Sequence, residues 1–344
     1  MYSLAGSCAL FCVIEKLYKL KIMKKLRPVS LDELHAAATR IAPLINRTPL
    51  FKLNIEDAPA EIYLKMENLQ AIGSFKIRPA ASAILNAPKE KVADGVYTAS
   101  SGNMAQGVAY AARELGIAAT VLLPENAAAN KVEALKRLGA SIRFMEDEEW
   151  WQVIKDYGHP DIKGLFIHPV AEQDVLAGDA TVGLEIYEDL PDVDTVLAPY
   201  GGGGLTCGIA SAFKALNSKT KVMGAESSHC APLTASLEAG KPLSVPILPS
   251  YISGIGVGQV LDEMWPVVKD LVAGSVVASP EEIAETIKLL FERNRIVAEG
   301  AGASGVASAL AGRAGTGKVV CVISGGNLNP EYLVDILQGR MPGN

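Results

Sequence analysis

Short runs of apolar, β-branched residues alternate along this chain with longer stretches in which apolar residues recur every three or four positions. The first kind predicts buried strands, the second amphipathic helices, and their alternation predicts a parallel α/β sheet. Strands are expected at Tyr63–Met66, Val96–Ala99, Thr120–Leu123, Ile142–Met145, Leu165–His168, Thr195–Pro199, Lys221–Ala225, Ser275–Ala278 and Lys318–Ile323. Helices fall between most of them, including Phe75–Asn86, Met104–Leu115, Asn130–Leu138, Leu205–Leu216 and Glu281–Asn294. Ahead of the first strand, Ser30 and Glu33 precede the periodic Leu34, Ala37 and Ile41, which predicts a helix opened by a capping box. Ser279 and Pro280 announce the helix from Glu281, as a cap followed by a first-turn proline. The segment from Lys241 to Val257 is rich in Gly, Pro and Ser and reads as a loop that shapes or covers a site.

Composition narrows the class. With 49% hydrophobic and 20% charged residues, the 344-residue chain can bury a large core and is not disordered. A net charge of −6 without a Lys/Arg tract argues against a nucleic-acid or anionic-membrane surface. The five cysteines form no CxxC pair, which fits a reducing, cytoplasmic setting. His35, His159, His168 and His229 are too dispersed for a zinc site. Leu4 to Ile14 is apolar, but no positive residue precedes it and no cleavage pattern follows. It is also shorter than the roughly 20 residues that a bilayer-spanning helix needs. Residues 1–22 are therefore read as an extension outside the fold, which begins near Met23.

The 32 glycines cluster at informative places. Val96–Ser100 runs into Ser101-Gly102-Asn103, Val196–Tyr200 into Gly201-Gly202-Gly203-Gly204-Leu205, and Val320–Ser324 into Gly325-Gly326-Asn327. Each reads as strand, glycine turn and helix start, and in open parallel sheets ligands sit beyond the carboxyl ends of strands. A helix N-terminus presents unpaired N–H groups and about half a positive charge, and glycines let those groups approach a phosphate. No Gly-Lys-Ser/Thr follows the four glycines, so this is not a Walker loop, and the GxGxxG dinucleotide pattern is absent. Lys76, in Ser74-Phe75-Lys76-Ile77-Arg78, follows the polar turn after the Tyr63–Met66 strand and so falls on the same side as the glycine turns.

Together and in this order, the four strings Ser74–Arg78, Ser100–Asn103, Gly201–Leu205 and Ser324–Asn327 resemble the fold-type II pyridoxal-phosphate enzymes. Among these they are most similar to threonine/serine dehydratases and serine racemase, and the resemblance spans roughly residues 27 to 340. It implies a two-lobed, three-layer α/β fold of the tryptophan synthase β type, each lobe an open, mostly parallel sheet flanked by helices. Residues 23–88 with 173–344 would form the large cofactor lobe, and 89–172 the small substrate-closing lobe.

The resemblance also implies roles. Lys76 would carry pyridoxal 5'-phosphate as a Schiff base, with Phe75 beside it. Asn103 would bond the ring hydroxyl, Gly201, Gly202, Gly203, Gly204 and Leu205 the phosphate, and Ser324 the ring nitrogen. Gly254 would border the cofactor, while Ser100, Ser101 and Gly102 would hold the substrate carboxylate. A serine opposite the ring nitrogen leaves the ring close to neutral, so loss of a β-hydroxyl group competes well with other fates. The implied reaction is dehydration and deamination of a β-hydroxy amino acid such as L-threonine or L-serine to a 2-oxo acid and ammonia. A racemase using Ser101 as second acid/base, or a dehydratase for 3-hydroxyaspartate or an aryl-serine, are the alternatives. A homodimer is expected from the family, and the chain's end soon after Ser324 leaves out the regulatory domain of biosynthetic threonine deaminases.

Three features depart from or extend the pattern. Met104 and Pro79 stand where the family commonly has histidine and glycine; Met104 reads equally as a substrate-side residue or a core filler. Glu226 matches the first ligand of the divalent-cation site of racemase-like members, but Pro232 stands where its acidic partner is expected, so Glu226 reads alternatively as a helix cap or an ion-pair partner. Glu299 matches a family string and reads as support for the Ser324 region, and the Trp150–Trp151 pair as packing under a helix.

Overall fold

The computed structural model describes residues 26–343 apart from residue 128; the proposed extension 1–22 and Met23 lie outside the described residues. In chain order the elements are α1 (Leu31–Ile41), β1 (Leu50–Lys52), β2 (Glu61–Lys65), α2 (Ile77–Asn86), β3 (Val96–Ala99), α3 (Asn103–Glu114), β4 (Ala119–Pro124), α4 (Ala129–Arg137), β5 (Ser141–Met145), α5 (Asp147–Lys155) and β6 (Leu165–Phe166). They continue with α6 (Gln173–Asp189), β7 (Thr195–Pro199), α7 (Gly204–Ala215), β8 (Lys221–Ser227), α8 (Pro232–Ala239), α9 (Trp265–Leu271), β9 (Gly274–Ala278), α10 (Pro280–Leu289), α11 (Gly300–Leu310), β10 (Lys318–Val322) and α12 (Pro330–Leu337). Both capping boxes form: Ser30 caps α1 against Glu33, and Ser279 caps α10 against Glu282.

Two sheets result. One has six strands in the order β1-β2-β10-β7-β8-β9, the other four in the order β5-β4-β3-β6. Every pairing is parallel except β1 with β2. The central strands are apolar throughout because both faces are covered. Val319 and Cys321 of β10 point into a core shared with Ile283 and Ile287 of α10 and Val306 of α11. Val320 and Val322 point the other way, towards Val182 and Ile186 of α6 and Ile209 and Phe213 of α7. In the smaller sheet, Val121 and Leu123 meet α2 and α3, while Leu122 and Met145 face α5.

Several local expectations change. β1 lies outside every predicted strand: it is an antiparallel edge strand whose Phe51 and Lys52 are exposed, so it carries no burial pattern. Helix α2 starts at Ile77 rather than Phe75, with Lys76 as its N-cap. The strand expected at Leu165–His168 stops at Phe166, because His168 turns to accept N–H groups from Val170 and Ala171. The helix expected to reach Asn294 ends its α part at Leu289 and finishes as a π turn, Leu290–Asn294. Trp150 and Trp151 lie within α5 itself, and Trp150 Nε1 donates to Leu122 O at 3.0 Å.

The third glycine turn is not a helix start. After β10 the chain runs without helix until α12 begins at Pro330. Gly325 and Gly326 are instead sites of close approach: a Cβ on Gly325 would run into the Glu299 carboxylate, and one on Gly326 would lie 2.6 Å from Val297 O.

Candidate active site

β2, β10 and β7 are adjacent and parallel, so the turns after their carboxyl ends lie side by side. Backbone bonds join two of these turns: Phe75 N donates to Ser324 O at 3.0 Å, Gly326 N donates to Gly73 O at 2.9 Å, and Ser74 pairs with Gly325. Lys76 is thus held at the head of α2 beside Ser324, which is buried. Its Nζ donates to Pro169 O at 3.0 Å and lies 5.0 Å from the Phe75 ring centre. Burial pushes the Lys76 ammonium down, with the nearby Asp179 carboxyl opposing it.

Asn103 arrives from the smaller sheet. Helix α3 approaches so closely that a Cβ on Gly107 would stand 2.5 Å from Lys76 O, and this contact places Asn103, one turn earlier, at the cleft. Asn103 Nδ2 donates to Glu299 Oε1 at 2.8 Å, while its Oδ1 accepts from Asn327 Nδ2 at 2.8 Å. The amide is fixed in one orientation and keeps one further N–H for a ligand.

Each of the four consecutive glycines has its own reason. A Cβ on Gly201 would lie 2.9 Å from Gly254 O, on Gly202 2.5 Å from the Val170 side chain, on Gly203 3.0 Å from Tyr200 Oη, and on Gly204 2.7 Å from Asp179 Oδ2. Gly203 also has φ +94°, the left-handed region. Helix α7 starts at Gly204, and the first N–H groups of a helix have no intrahelical acceptor. Bare backbone donors in a walled turn fit a phosphate group, and Lys76 fits a carbonyl carbon beside it.

Gly254 touches both sides of this arrangement, since a Cβ there would lie 2.9 Å from Ala301 Cβ and 3.8 Å from Glu299 Oε1. Ser100 Oγ accepts from Gly102 N at 3.3 Å, Ser101 is half-buried, and Gly102 borders open space. Leu205 is buried in the core between α7 and the sheet, so only its backbone is free to face a ligand. Met104 is 2% exposed and packs with Ala80, Ala81 and Val108. That burial fits the core-filling reading.

Glu226 likewise takes the cap role. Its carboxylate accepts from Leu233 N at 2.7 Å, Thr234 N at 2.9 Å and Thr234 Oγ1 at 2.7 Å, all at the head of α8. Among the described residues no group of three or more His, Cys, Asp or Glu could hold a metal ion. A concavity of about 700 Å³ is lined by Phe51, Asn68, Arg295, Val297 and Asn327 and does not include Lys76. It shares a wall with the site through Gly73, Gly326 and Asn327.

Three neighbours escaped the sequence reading. His168 stacks on Tyr157 with ring centres 4.5 Å apart and accepts two backbone N–H groups, which stiffens the turn that offers Pro169 O to Lys76. Burial and the Lys76 charge push its pKa down to about 3, so it is neutral. Asn327 was visible as part of a motif but not as the clamp on Asn103. Asp179 carries no local motif; Gly204 and Gly208 of α7, which lie against it, come 25 or more residues further on.

A family model described as pyridoxal-phosphate dependent enzyme matches residues 41–325. The chain is 40% identical to the L-threonine ammonia-lyase of Thermotoga maritima, over 90% of this chain and 78% of that protein. It is 36% identical to the catabolic L-threonine dehydratase TdcB of Escherichia coli, over 88% of this chain and 94% of that protein. Among solved structures, maize serine racemase matches with a TM-score of 0.82 at 32% identity, covering 91% of this chain and 98% of that one. A lysine, a glycine cradle and a buried serine on adjacent strand ends, joined to these matches along most of the length, place the chain in the family of pyridoxal-phosphate-dependent enzymes.

Proposed function

We propose that the chain is an ammonia-lyase that removes the β-hydroxyl and then the amino group from L-threonine or L-serine, giving a 2-oxo acid and ammonia. The observation that carries this reading is the cluster of Lys76, the Gly201–Gly204 turn and Ser324, with the lysine's basicity lowered by burial. N–H groups of Gly201 to Leu205 would hold the cofactor phosphate, the free N–H of Asn103 the ring hydroxyl and Ser324 the ring nitrogen, with Gly254 closing one edge. When bound, pyridoxal phosphate supplies a sink for negative charge at the substrate Cα.

The protein's own part is to choose which bond breaks. Lys76 Nζ needs to be a neutral amine near pH 7 to take the Cα proton, and burial favours that form. Ser100, Ser101 and Gly102 would hold the substrate carboxylate at the head of α3. Ser324, being no acid, would offer the ring nitrogen a hydroxyl and not a carboxylate, which would suit loss of the β-hydroxyl. Residues 89–172 act as the lobe that closes over substrate, and the working unit is a cytoplasmic homodimer, which light scattering after gel filtration would check. Among the described residues no group of three or more His, Cys, Asp or Glu includes Glu226, so this reading includes no divalent cation.

The test is direct. The wild type should bind pyridoxal phosphate with a visible absorbance band and release ammonia from L-threonine or L-serine. Lys76→Ala should lack both, and a retained band would sink the assignment. A second reading, racemisation with Ser101 as the opposite-face acid/base, draws on the match to maize serine racemase and on the position of Ser101 beside the cleft. D-serine appearing from L-serine, and lost in Ser101→Ala, would establish it.

A further inference from the structure

Asp179 lies in the middle of α6, is 0% exposed, and neither of its carboxylate oxygens has a hydrogen-bond partner. Buried polar groups without partners are rare and point to something that completes them. The side chain is laid along a groove in α7. A Cβ on Gly208 would lie 2.6 Å from Asp179 Cβ, and one on Gly204, a turn nearer the helix start, 2.7 Å from Asp179 Oδ2. The carboxyl group therefore runs towards the N-terminus of α7, directly behind the Gly201–Gly204 turn.

The groups facing it are few. Lys76 and Arg78 at the head of α2 favour its charge, while Glu67 in the turn after β2 opposes it. From α7 comes Cys207, whose thiol is itself pushed up by burial and by Asp179. Arg78 is already engaged by Glu67 and Glu185, and Lys76 by Pro169 O. Burial outweighs the two cations and raises the Asp179 pKa to about 7.

We propose that Asp179 is the proton-carrying member of the phosphate cradle, taking up a proton as the phosphate binds, so that cofactor affinity is linked to proton uptake. This rests on the reading of Gly201–Gly204 as that cradle. Phosphate and ionised Asp179 would be like charges sharing one helix N-terminus in a water-poor site, and each disfavours the other. A protonated Asp179 removes the repulsion and leaves the N-terminal field to the phosphate. By linkage, affinity should fall by up to about tenfold per pH unit above about pH 7 through this group alone.

Pyridoxine 5'-phosphate separates the effect from Lys76 chemistry, because it has the phosphate but no aldehyde. Its binding to the full chain freed of cofactor is measured by calorimetry, in buffers of differing ionisation enthalpy, from about pH 6 to about pH 9. The expected result is proton uptake in the wild type that is missing in Asp179→Asn, with the affinity ratio of the two changing by up to about tenfold per unit above about pH 7. Ionisation of the ligand's own phosphate is common to both and cancels. Equal proton uptake in wild type and variant overturns the proposal while leaving the cradle intact. Should the variant not fold, infrared difference spectra of the wild type decide. Ligand addition must then convert a carboxylate band into a carboxylic-acid band, and its failure to do so is equally fatal. If pyridoxine without phosphate binds as tightly as its phosphate ester, the cradle reading falls, and this inference with it.

Discussion

The amide of Asn103 shows how a single side chain acquires direction. An asparagine has two donors and an acceptor and, left alone, presents either end to a ligand. Here Glu299 takes one N–H and Asn327 donates to the oxygen, so that only a donor is left. Burial raises the Glu299 pKa, and the bond from Asn103 opposes this, so the carboxyl group stays an acceptor for the amide on either side of its titration. Asn327→Ala should leave the amide free to flip. Its expected cost is about 0.5–1.5 kcal/mol of cofactor binding, the usual net worth of one hydrogen bond, or roughly a two- to thirteenfold rise in Kd. Glu299→Gln keeps an oxygen at the same place and should cost less. Spectroscopic titration of the cofactor-free chain with pyridoxal phosphate measures both, and an unchanged Kd in Asn327→Ala would show the clamp to be idle.

Helices α2, α6 and α7 owe their closeness to missing side chains. A Cβ on Gly178 of α6 would stand 2.6 Å from Arg78 O and 2.7 Å from Pro79 Cα, both backbone atoms of α2. Pro79, the departure from the family's usual glycine, is therefore part of a helix–helix contact. Gly178→Ala should force α2 away from α6, costing about 1–3 kcal/mol as an overpacked contact does, and should shift Lys76 with it. A lowered Tm together with weaker cofactor binding is expected; a fall in Tm alone would mean that Lys76 is not held through this contact.

The same helices show what was legible beforehand. β7 and the Gly201–Gly204 turn were readable because their pattern is local, a both-faces-buried strand followed by glycines. Lys76 was readable through its string. The reason for Gly178 and the role of Asp179 were not, because each depends on residues from a distant stretch of chain, and the edge strand β1 was not, because its exposed residues carry no burial pattern. Gly325 and Gly326 misled, since glycine serves close approach as well as helix entry.

Across the whole molecule, two sets of buried carboxyl groups oppose each other. Arg78, fully buried, donates to Glu67 at 2.8 Å and to Glu185 at 2.8 and 2.9 Å, and Lys65 Nζ donates to Glu185 at 2.5 Å. Two cations and two carboxylates close a neutral cluster linking β2, α2 and α6. Burial works against the Glu185 charge, yet Arg78 and Lys65 hold its pKa below the ordinary carboxylate range. Glu185 therefore adds stability above its unfolded pKa that is lost as pH falls through its lower folded value. Asp179 has the reverse sign. With its pKa raised to about 7, the folded chain keeps a proton that the unfolded chain has released, so its contribution is full below about pH 4 and is lost between about pH 4 and pH 7. Glu172, also raised to about 7 by burial, acts in the same direction.

Asp179 and Glu172 should therefore weaken the cofactor-free protein as pH rises from about 4 to about 7, against the opposite slope of His168, whose pKa is pushed down to about 3. Asp179→Asn isolates one share of that slope. Below about pH 4 it should match the wild type, because a protonated carboxyl and an amide are close in size and neither is charged. By about pH 7 it should be the more stable of the two, by at most about 4 kcal/mol for a shift of three pH units. Thermal melts of both cofactor-free chains across this range give the difference directly, and a difference that does not grow with pH would mean that Asp179 is ionised in the folded chain.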